Sequence, residues 1–168
     1  MTTWWRRLLL AVHLTVSIGW VGAVLAYISL DVAVAIGQDP ETVRSAYAAM
    51  ERIVRIVVIP LAIASLVTGI LISLVTRWGL FRHYWVVISL VLTVIATGVL
   101  LRETQLIARH AAMAADPATT EARLATLPST LVHSVGGATV LLVVLVLNVF
   151  KPRGKTKYGR RKAAGSDR

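Results

Sequence analysis

The chain contains no cysteine, and it has only eight acidic residues against 18 lysines and arginines. The lack of cysteine excludes disulfides, thiolate metal sites, iron–sulfur clusters and cysteine nucleophiles. The sequence also has no Gly-rich phosphate loop, no nucleophile–base pair and no metal-ligand spacing. It therefore assigns no catalytic residue and leaves open whether the protein is an enzyme.

Long apolar runs dominate the chain, and 57% of its 168 residues are hydrophobic, against about 45–50% in a typical soluble domain. A membrane span needs roughly 20 mostly apolar residues. Four runs qualify, and they cover about 8–30, 56–76, 85–101 and 128–150. The sequence therefore predicts an all-α fold, a four-helix transmembrane bundle over 1–150 with a basic tail over 151–168.

The first run could also be read as a signal peptide, because Arg6 and Arg7 precede it and "VLA" at 24–26 resembles a cleavage site. Signal cores are about 7–15 apolar residues long, whereas this run continues to Ile36 and is broken only by Asp31. We therefore expect a retained anchor.

The connections carry helix signals of their own. "GQDPET" places Asp39 as an N-cap, Pro40 at the first helical position and Glu41 in the first turn, so a helix should begin near residue 40. Pro60 lies inside that helix and should kink it. "RETQLIARHAAMAAD" should continue the third span beyond the bilayer, and "DPATTEARLATLP" should form the loop before the fourth.

The basic residues are divided unequally between the two sides of this arrangement. With both termini on one side, that side holds 12 lysines and arginines, including Arg77. The other side holds six lysines and arginines, together with seven of the eight acidic residues. Cytoplasmic loops carry the excess of lysine and arginine. The sequence therefore predicts cytoplasmic termini in a multi-pass protein of a bacterial inner membrane, and the net charge of +10 needs no nucleic-acid partner.

Small and weakly polar residues recur at helical spacing, as is typical of helix–helix contacts in membranes. Two stripes have the spacing i, i+4, i+8, and they are Ser65, Gly69, Ser73 and Ser89, Thr93, Thr97. Span one carries a polar stripe whose members fall within about 80° of one another, namely His13, Ser17, Trp20, Tyr27 and Asp31. This stripe should face protein or a water-filled cavity.

His13 and His133 are the candidates for cofactor binding, because a histidine inside a membrane span is a functional hypothesis by default. The alternative is a hydrogen bond between helices, which for His13 should involve Ser89 or Thr93 at similar depth. A haem shared by the two histidines is disfavoured, because their levels should differ by roughly 15 Å. We expect His110 to lie on the surface.

A charge cluster is predicted at the outer end, where Arg52 and Arg55 should reach Asp31. Its members are Asp31, Glu51, Arg52, Arg55, Arg102 and Glu103. Interfacial salt bridges explain it best, and an anionic-substrate site is the alternative. At the other end, seven basic residues between 151 and 162 should lie on anionic headgroups.

The stretch "AVHLTVSIGWVGAVLAYISLDVA", with His13, Trp20 and Gly22, resembles helix one of the haem-binding, protoporphyrinogen-oxidase-like family and of the copper-resistance-D-like membrane proteins. The "TG" at 68–69 and the "WGLFRHYWVVISL" segment are also similar. The resemblance implies a haem ligand at His13 and a lysine four residues after Trp85, but that position is Ser89. A related group of small integral membrane proteins with serine there resembles this chain more closely.

Three functions stay open from the sequence. The first is a non-enzymatic bundle that binds a partner, a lipid or a small molecule. The second is a b-type haem protein or oxidoreductase using His13. The third is a small transporter, which with four spans would act as an oligomer; a homo-oligomer is an open expectation in any case.

Overall fold

The structure is a computed structural model that describes residues 3–36, 39–76 and 78–164. Arg77 and residues 165–168, which the charge count includes, lie outside the described residues. The helices are α1 (Thr3–Ile36), α2 (Pro40–Ile53), a π-helical turn (Val54–Val58), α3 (Ile59–Val75), α4 (Tyr84–Ala115), α5 (Glu121–Ala125), α6 (Leu131–Phe150) and α7 (Lys157–Ala164).

Four helices are long and apolar enough to cross a membrane, and they are α1, the continuous helix Pro40–Val75, α4 and α6. The predicted all-α four-helix bundle is confirmed. Helix α4 runs from Tyr84 to Ala115, so the third span does continue as helix well past its apolar run. The loop before α6 contains the short helix α5, and α6 begins at Leu131, three residues later than the predicted span.

The helix over Pro40–Val75 begins as the sequence predicts, with Asp39 as N-cap and Pro40 in the first turn. The hydroxyl and the backbone N–H of Thr42 donate to the Asp39 carboxylate at 2.7 and 2.9 Å, and these bonds hold the pKa of Asp39 below its usual value. The π-helical turn ends two residues before Pro60. Proline lacks the N–H that would bond to the carbonyl four residues back, and the wider turn accommodates the ring without ending the helix.

The helices form a ring in which α1 and α4 lie diagonally opposite and each packs on α3 and α6. Helix α2 packs on α1 and α4 at one end. We call this the acidic end; it comprises α2 and residues 116–130. The other end, the basic end, comprises the first turns of α1, the connection between α3 and α4, and residues 151–164. Every acidic residue in the described ranges lies in the half of the bundle nearer the acidic end.

Close packing is concentrated at the acidic end. The larger cluster of buried apolar side chains lies there, with Tyr47 and Met50 of α2 fully buried at its centre. A smaller cluster at mid-bundle comprises Trp20, Val58, Ala62 and Leu141. His110, which the sequence places on the surface, is only 5% exposed and lies edge-on to the Tyr47 ring. The surface assignment was wrong, because α2 folds over this face of α4.

The basic tail docks on the connection between α3 and α4. The Thr156 N–H donates to the Arg82 carbonyl at 3.0 Å, and the Tyr84 N–H donates to the Gly154 carbonyl at 3.2 Å. Gly159 of α7 lies so close that a Cβ atom there would be 2.3 Å from the Arg82 carbonyl oxygen. Residues 154–159 are therefore a folded part of the basic end.

Candidate functional site

The basic half of the bundle encloses an open-sided cavity of about 730 Å³. All four long helices line it, and its walls are mostly apolar. The polar side chains on those walls are His13, Ser17, Ser65, Ser73, Ser89, Thr93 and Asn148. We call this the inner cavity; Trp20 and Leu141 of the mid-bundle cluster close it toward the acidic end.

His13 is fixed in the inner cavity by a hydrogen bond of 2.9 Å between its Nδ1 and the Thr68 hydroxyl. The Thr68 hydroxyl also lies 2.6 Å from the Ala64 carbonyl oxygen. A carbonyl can only accept, and a hydroxyl has a single proton, so Thr68 donates to Ala64 and accepts from His13. Nδ1 therefore carries the proton, and Nε2 is the ring nitrogen whose lone pair remains.

The expected partners of His13 were wrong. Thr68 is on α3, which packs beside α1, whereas Ser89 and Thr93 are on α4, which lies diagonally across. His13 lies at a depth along the bundle similar to that of Ser89 and Thr93, but the order of the helices around the ring separates it from them. His13, Ser89 and Thr93 line the same inner cavity from opposite sides. Ser17 likewise bonds to α3, with its hydroxyl 2.8 Å from that of Ser65.

The opposite wall carries its own hydrogen bonds. The Asn148 amide donates to the Ser89 hydroxyl at 3.1 Å and to the Val144 carbonyl at 2.7 Å. Trp85 also lines the cavity and is 7% exposed, and its indole Nε1 has no hydrogen-bond partner among the described residues. Buried indole N–H groups usually find an acceptor, so this donor is unusual.

Cations lie at the basic end of the inner cavity, where Arg6, Arg7 and Lys151 contribute to its lining. None of the three forms an ion pair with a residue in the described part of the chain. Lys151 ends α6 in the left-handed conformation, with φ 45°, and its Nζ lies 5.7 Å from the centre of the Trp78 ring.

Asp31, at the other end of the α1 stripe, is fully buried. Its carboxylate accepts hydrogen bonds from the Ser129 hydroxyl at 2.9 Å, from the Thr130 N–H and hydroxyl at 3.0 and 2.8 Å, and from the Ser134 hydroxyl at 2.9 Å. These donors surround the first turn of α6, whose exposed N–H groups favour a negative charge. Since Thr130 gives its proton to Asp31, the Tyr27 hydroxyl donates to Thr130, at 2.6 Å.

The predicted contact of Arg52 and Arg55 with Asp31 was wrong, because α6 supplies donors to this carboxylate instead. Arg55 pairs with Glu51 at 2.9 Å as the i, i+4 spacing indicates. Arg52 and Arg102 are exposed. The charge cluster is therefore divided into a surface pair, two exposed arginines, the buried Asp31 and Glu103, which lines a separate cavity.

Glu103 faces a second, smaller cavity of about 90 Å³ near the acidic end. Its Oε1 lies 4.0 Å from Nε2 of His133, and its buried Oε2 has no hydrogen-bond partner in the described ranges. His133 lines this cavity and His13 lines the inner one. The two histidines therefore contribute to separate sites.

Arg44 is a structural residue that the sequence reasoning did not single out. Its guanidinium donates to the carbonyls of Ala114, Asp116 and Thr119 just where α4 ends. The sequence signal for this role was an arginine in the first turns of an amphipathic helix. The last carbonyls of a helix lack partners within that helix, and an arginine side chain can bond to them. Asn148, an amide inside the apolar run "LVLNVF", was a clearer signal for a cavity residue.

Fold and cavities together define a multi-pass α-helical membrane protein with a polar-striped internal cavity. No family model, curated protein or solved structure matches the chain. Among the described residues, no group of three or more histidine, cysteine, aspartate or glutamate side chains could hold a metal ion. The function must therefore be argued from the cavity itself.

Proposed function

We propose that the protein is a non-enzymatic membrane protein whose inner cavity binds a small amphiphilic molecule. The observation that carries this proposal is the cavity of about 730 Å³ beside a closely packed acidic end. Protein interiors leave few voids larger than a water molecule. Ligand sites are typically about 300–1,000 Å³, mostly apolar, with a few placed polar groups, and the inner cavity fits that description.

The polar groups of the cavity support an amphiphile over a purely apolar ligand. On the α1–α3 side, His13 bonds to Thr68 and Ser17 bonds to Ser65. On the α6–α4 side, Asn148 bonds to Ser89. Apolar side chains such as Leu141 and Val144 line the same cavity. A molecule with one apolar chain and a polar head would contact both kinds of surface.

Orientation is part of the same proposal. Arg6, Arg7 and Lys151 line the inner cavity at the basic end, which we call the mouth of the cavity. We place the basic end in the cytoplasm of a bacterial cell. The support is the positive-inside bias, with 12 lysines and arginines against six. The ligand would then enter from the cytoplasm or from the inner leaflet.

Native mass spectrometry tests the binding proposal. The protein is released from a neutral detergent in the presence of two single-chain amphiphiles, dodecanol and dodecyl phosphate. We expect a saturable one-to-one complex with at least one of them. Ser73→Phe should abolish that complex, because Ser73 lines the cavity and the larger ring would fill it.

Leu74→Phe is the matched control, because the neighbouring Leu74 is 61% exposed on the outer face of α3. Leu90→Trp provides a second cavity-filling variant on α4, and each variant's melting temperature reports its folding. The proposal is supported if wild type and Leu74→Phe bind the amphiphile while Ser73→Phe and Leu90→Trp do not. Failure of wild type to bind either amphiphile, or equal binding by folded Ser73→Phe and Leu90→Trp, refutes it.

A b-type haem is the second candidate ligand. The observation that favours it is the hydrogen bond between Nδ1 of His13 and Thr68, which leaves Nε2 as a potential ligand atom in a residue that lines the cavity. Bound haem would supply redox chemistry. On the opposite wall, however, Ser89 and Thr93 offer hydroxyls in place of a strong iron ligand. The residues therefore fit a haem held through one histidine only.

The visible spectrum of the purified protein decides between the two candidates. Haem binding predicts a Soret band that His13→Ala abolishes. The amphiphile proposal predicts a colourless protein and little effect of His13→Gln on stability, because a hydrogen bond between membrane helices averages about 0.6 kcal/mol.

A further inference from the structure

We infer that the inner cavity selects an amphiphile with an anionic headgroup, which Arg6, Arg7 and Lys151 bind at the basic end. This inference rests on the proposed function and adds the chemical class of the ligand. It is carried by the cations at the cavity mouth, which form no ion pair within the described residues, and by the docked tail that holds one of them in place. An unpartnered indole N–H in the wall adds that the ligand carries an oxygen.

Within the described residues, no carboxylate pairs with the cations at the mouth. Within the described ranges, every acidic side chain lies toward the acidic end, and the Glu51–Arg55 ion pair is also there. Like charges gathered beside low-dielectric walls raise the local concentration of an anion. An anionic headgroup is the complementary partner, and arginine binds phosphate and carboxylate in a bidentate manner.

Trp85 gives the second indication. Its side chain is more than nine-tenths buried, it lines the inner cavity, and its Nε1 lacks an acceptor in the described part of the protein. An indole nitrogen can only donate. The nitrogen itself has almost no accessible surface, so an oxygen of a bound amphiphile would supply the acceptor only after neighbouring side chains shift, and a hydrocarbon would leave this donor unsatisfied.

The tail explains why Lys151 is available at this position. The left-handed backbone at Lys151 ends α6, and the bonds from residues 154 and 156 to Tyr84 and Arg82 tie the following segment to the α3–α4 connection. Lys151 therefore stays over Trp78 at the cavity mouth. A lysine in a free tail would have no fixed relation to the cavity.

The test compares the apparent affinity for dodecyl phosphate, dodecanol and inorganic phosphate by native mass spectrometry. We expect wild type to bind dodecyl phosphate at least about tenfold more tightly than dodecanol, and to bind inorganic phosphate least. The triple variant Arg6→Gln/Arg7→Gln/Lys151→Asn should lose this preference and retain dodecanol binding. Asparagine is chosen at 151 because it tolerates positive φ.

Arg153→Gln/Arg160→Gln is the control, since both residues are exposed on the basic end and neither lines the cavity; it should keep the preference. Trp85→Phe should weaken the binding of dodecyl phosphate and dodecanol alike, since both carry an oxygen that can accept from the indole N–H. Equal affinity of wild type for dodecyl phosphate and dodecanol would refute the anionic headgroup and leave the proposed function standing. Binding of neither amphiphile would refute both. An equal loss of preference in the control would assign the effect to general surface charge and overturn the inference.

Discussion

Asp31 of α1 accepts hydrogen bonds from both the backbone N–H and the hydroxyl of Thr130, at 3.0 and 2.8 Å. The two residues are 99 positions apart, and their contact joins the acidic end of α1 to the start of α6. The bonds fix where α6 begins and how it leans on α1. Both helices line the inner cavity, so this contact positions two of its walls.

Asp31→Ala should therefore destabilise the protein strongly. The substitution leaves the Thr130 N–H and several buried hydroxyls without their acceptor, and each unsatisfied buried group costs about 1–3 kcal/mol. We expect a loss of roughly 3 kcal/mol or more, seen as a fall in the helical melting temperature in detergent. The melting temperature of Asp31→Asn, which keeps one acceptor oxygen, should lie between those of Asp31→Ala and wild type. A melting temperature for Asp31→Ala equal to that of the exposed-site variant Glu41→Ala would contradict the role given to this carboxylate.

Gly69→Leu should disrupt the bundle more than Leu71→Ala. A Cβ atom at Gly69 would lie 3.1 Å from Cε1 of His13, so a leucine must displace the imidazole and its bond to Thr68. Leu71 is 44% exposed on the outer face, and truncating it removes little packing. Thermal melting in detergent measures both variants, and equal melting temperatures would show that the faces of α3 are assigned wrongly.

Gly159→Ala should release the tail from the basic end. The added Cβ would lie 2.3 Å from the Arg82 carbonyl oxygen, a backbone atom that cannot move without shifting the α3–α4 connection. We expect trypsin to cleave the basic segment 155–162 several-fold faster than in wild type. Gly137→Ala is the control, because a Cβ there meets no atom within 4 Å. Unchanged cleavage of Gly159→Ala would mean that residues 154–159 do not dock as described.

The orientation predicts how single cysteines react in intact cells, since the natural chain has none. Ala118→Cys, on the exposed connection at the acidic end, should be labelled by a membrane-impermeant thiol reagent. Tyr158→Cys, whose site is 55% exposed at the basic end, should be labelled only after the cells are opened. The reverse pattern would place the basic end outside the cytoplasm.

Much of the secondary structure follows from local sequence. Helix number, the Asp39 cap and the long extension of α4 depend on composition and on residues within one or two turns, so the sequence predicts them. The helical period also predicts that the stripe from His13 to Asp31 shares one face. It cannot predict which helix that face meets, because the order of helices around the ring is set by contacts between distant segments. For this reason the sequence assigns His13 to α4, whereas the structure pairs it with Thr68 of α3.

The charged residues show the same limit. A cluster of opposite charges at one end of a bundle predicts ion pairs, yet Asp31 is satisfied by neutral donors around the start of α6. Hydroxyls at 129, 130 and 134 carry no sequence signal that separates them from ordinary loop and helix residues. The tail is a further case. The basic residues after Lys151-Pro152 predict a segment that lies on anionic headgroups, whereas its docking depends on backbone bonds to Arg82 and Tyr84 and on the close approach of Gly159 to Arg82.

The central claim is that the inner cavity holds a ligand, and an electron-density map of the protein extracted from cell membranes in a neutral detergent tests it most directly. We expect elongated density that begins beside Arg6 and Lys151, passes Trp85, and continues between Ser73 of α3 and Thr93 of α4. A closed bundle in which the side chains of these helices meet and no space remains would contradict the account.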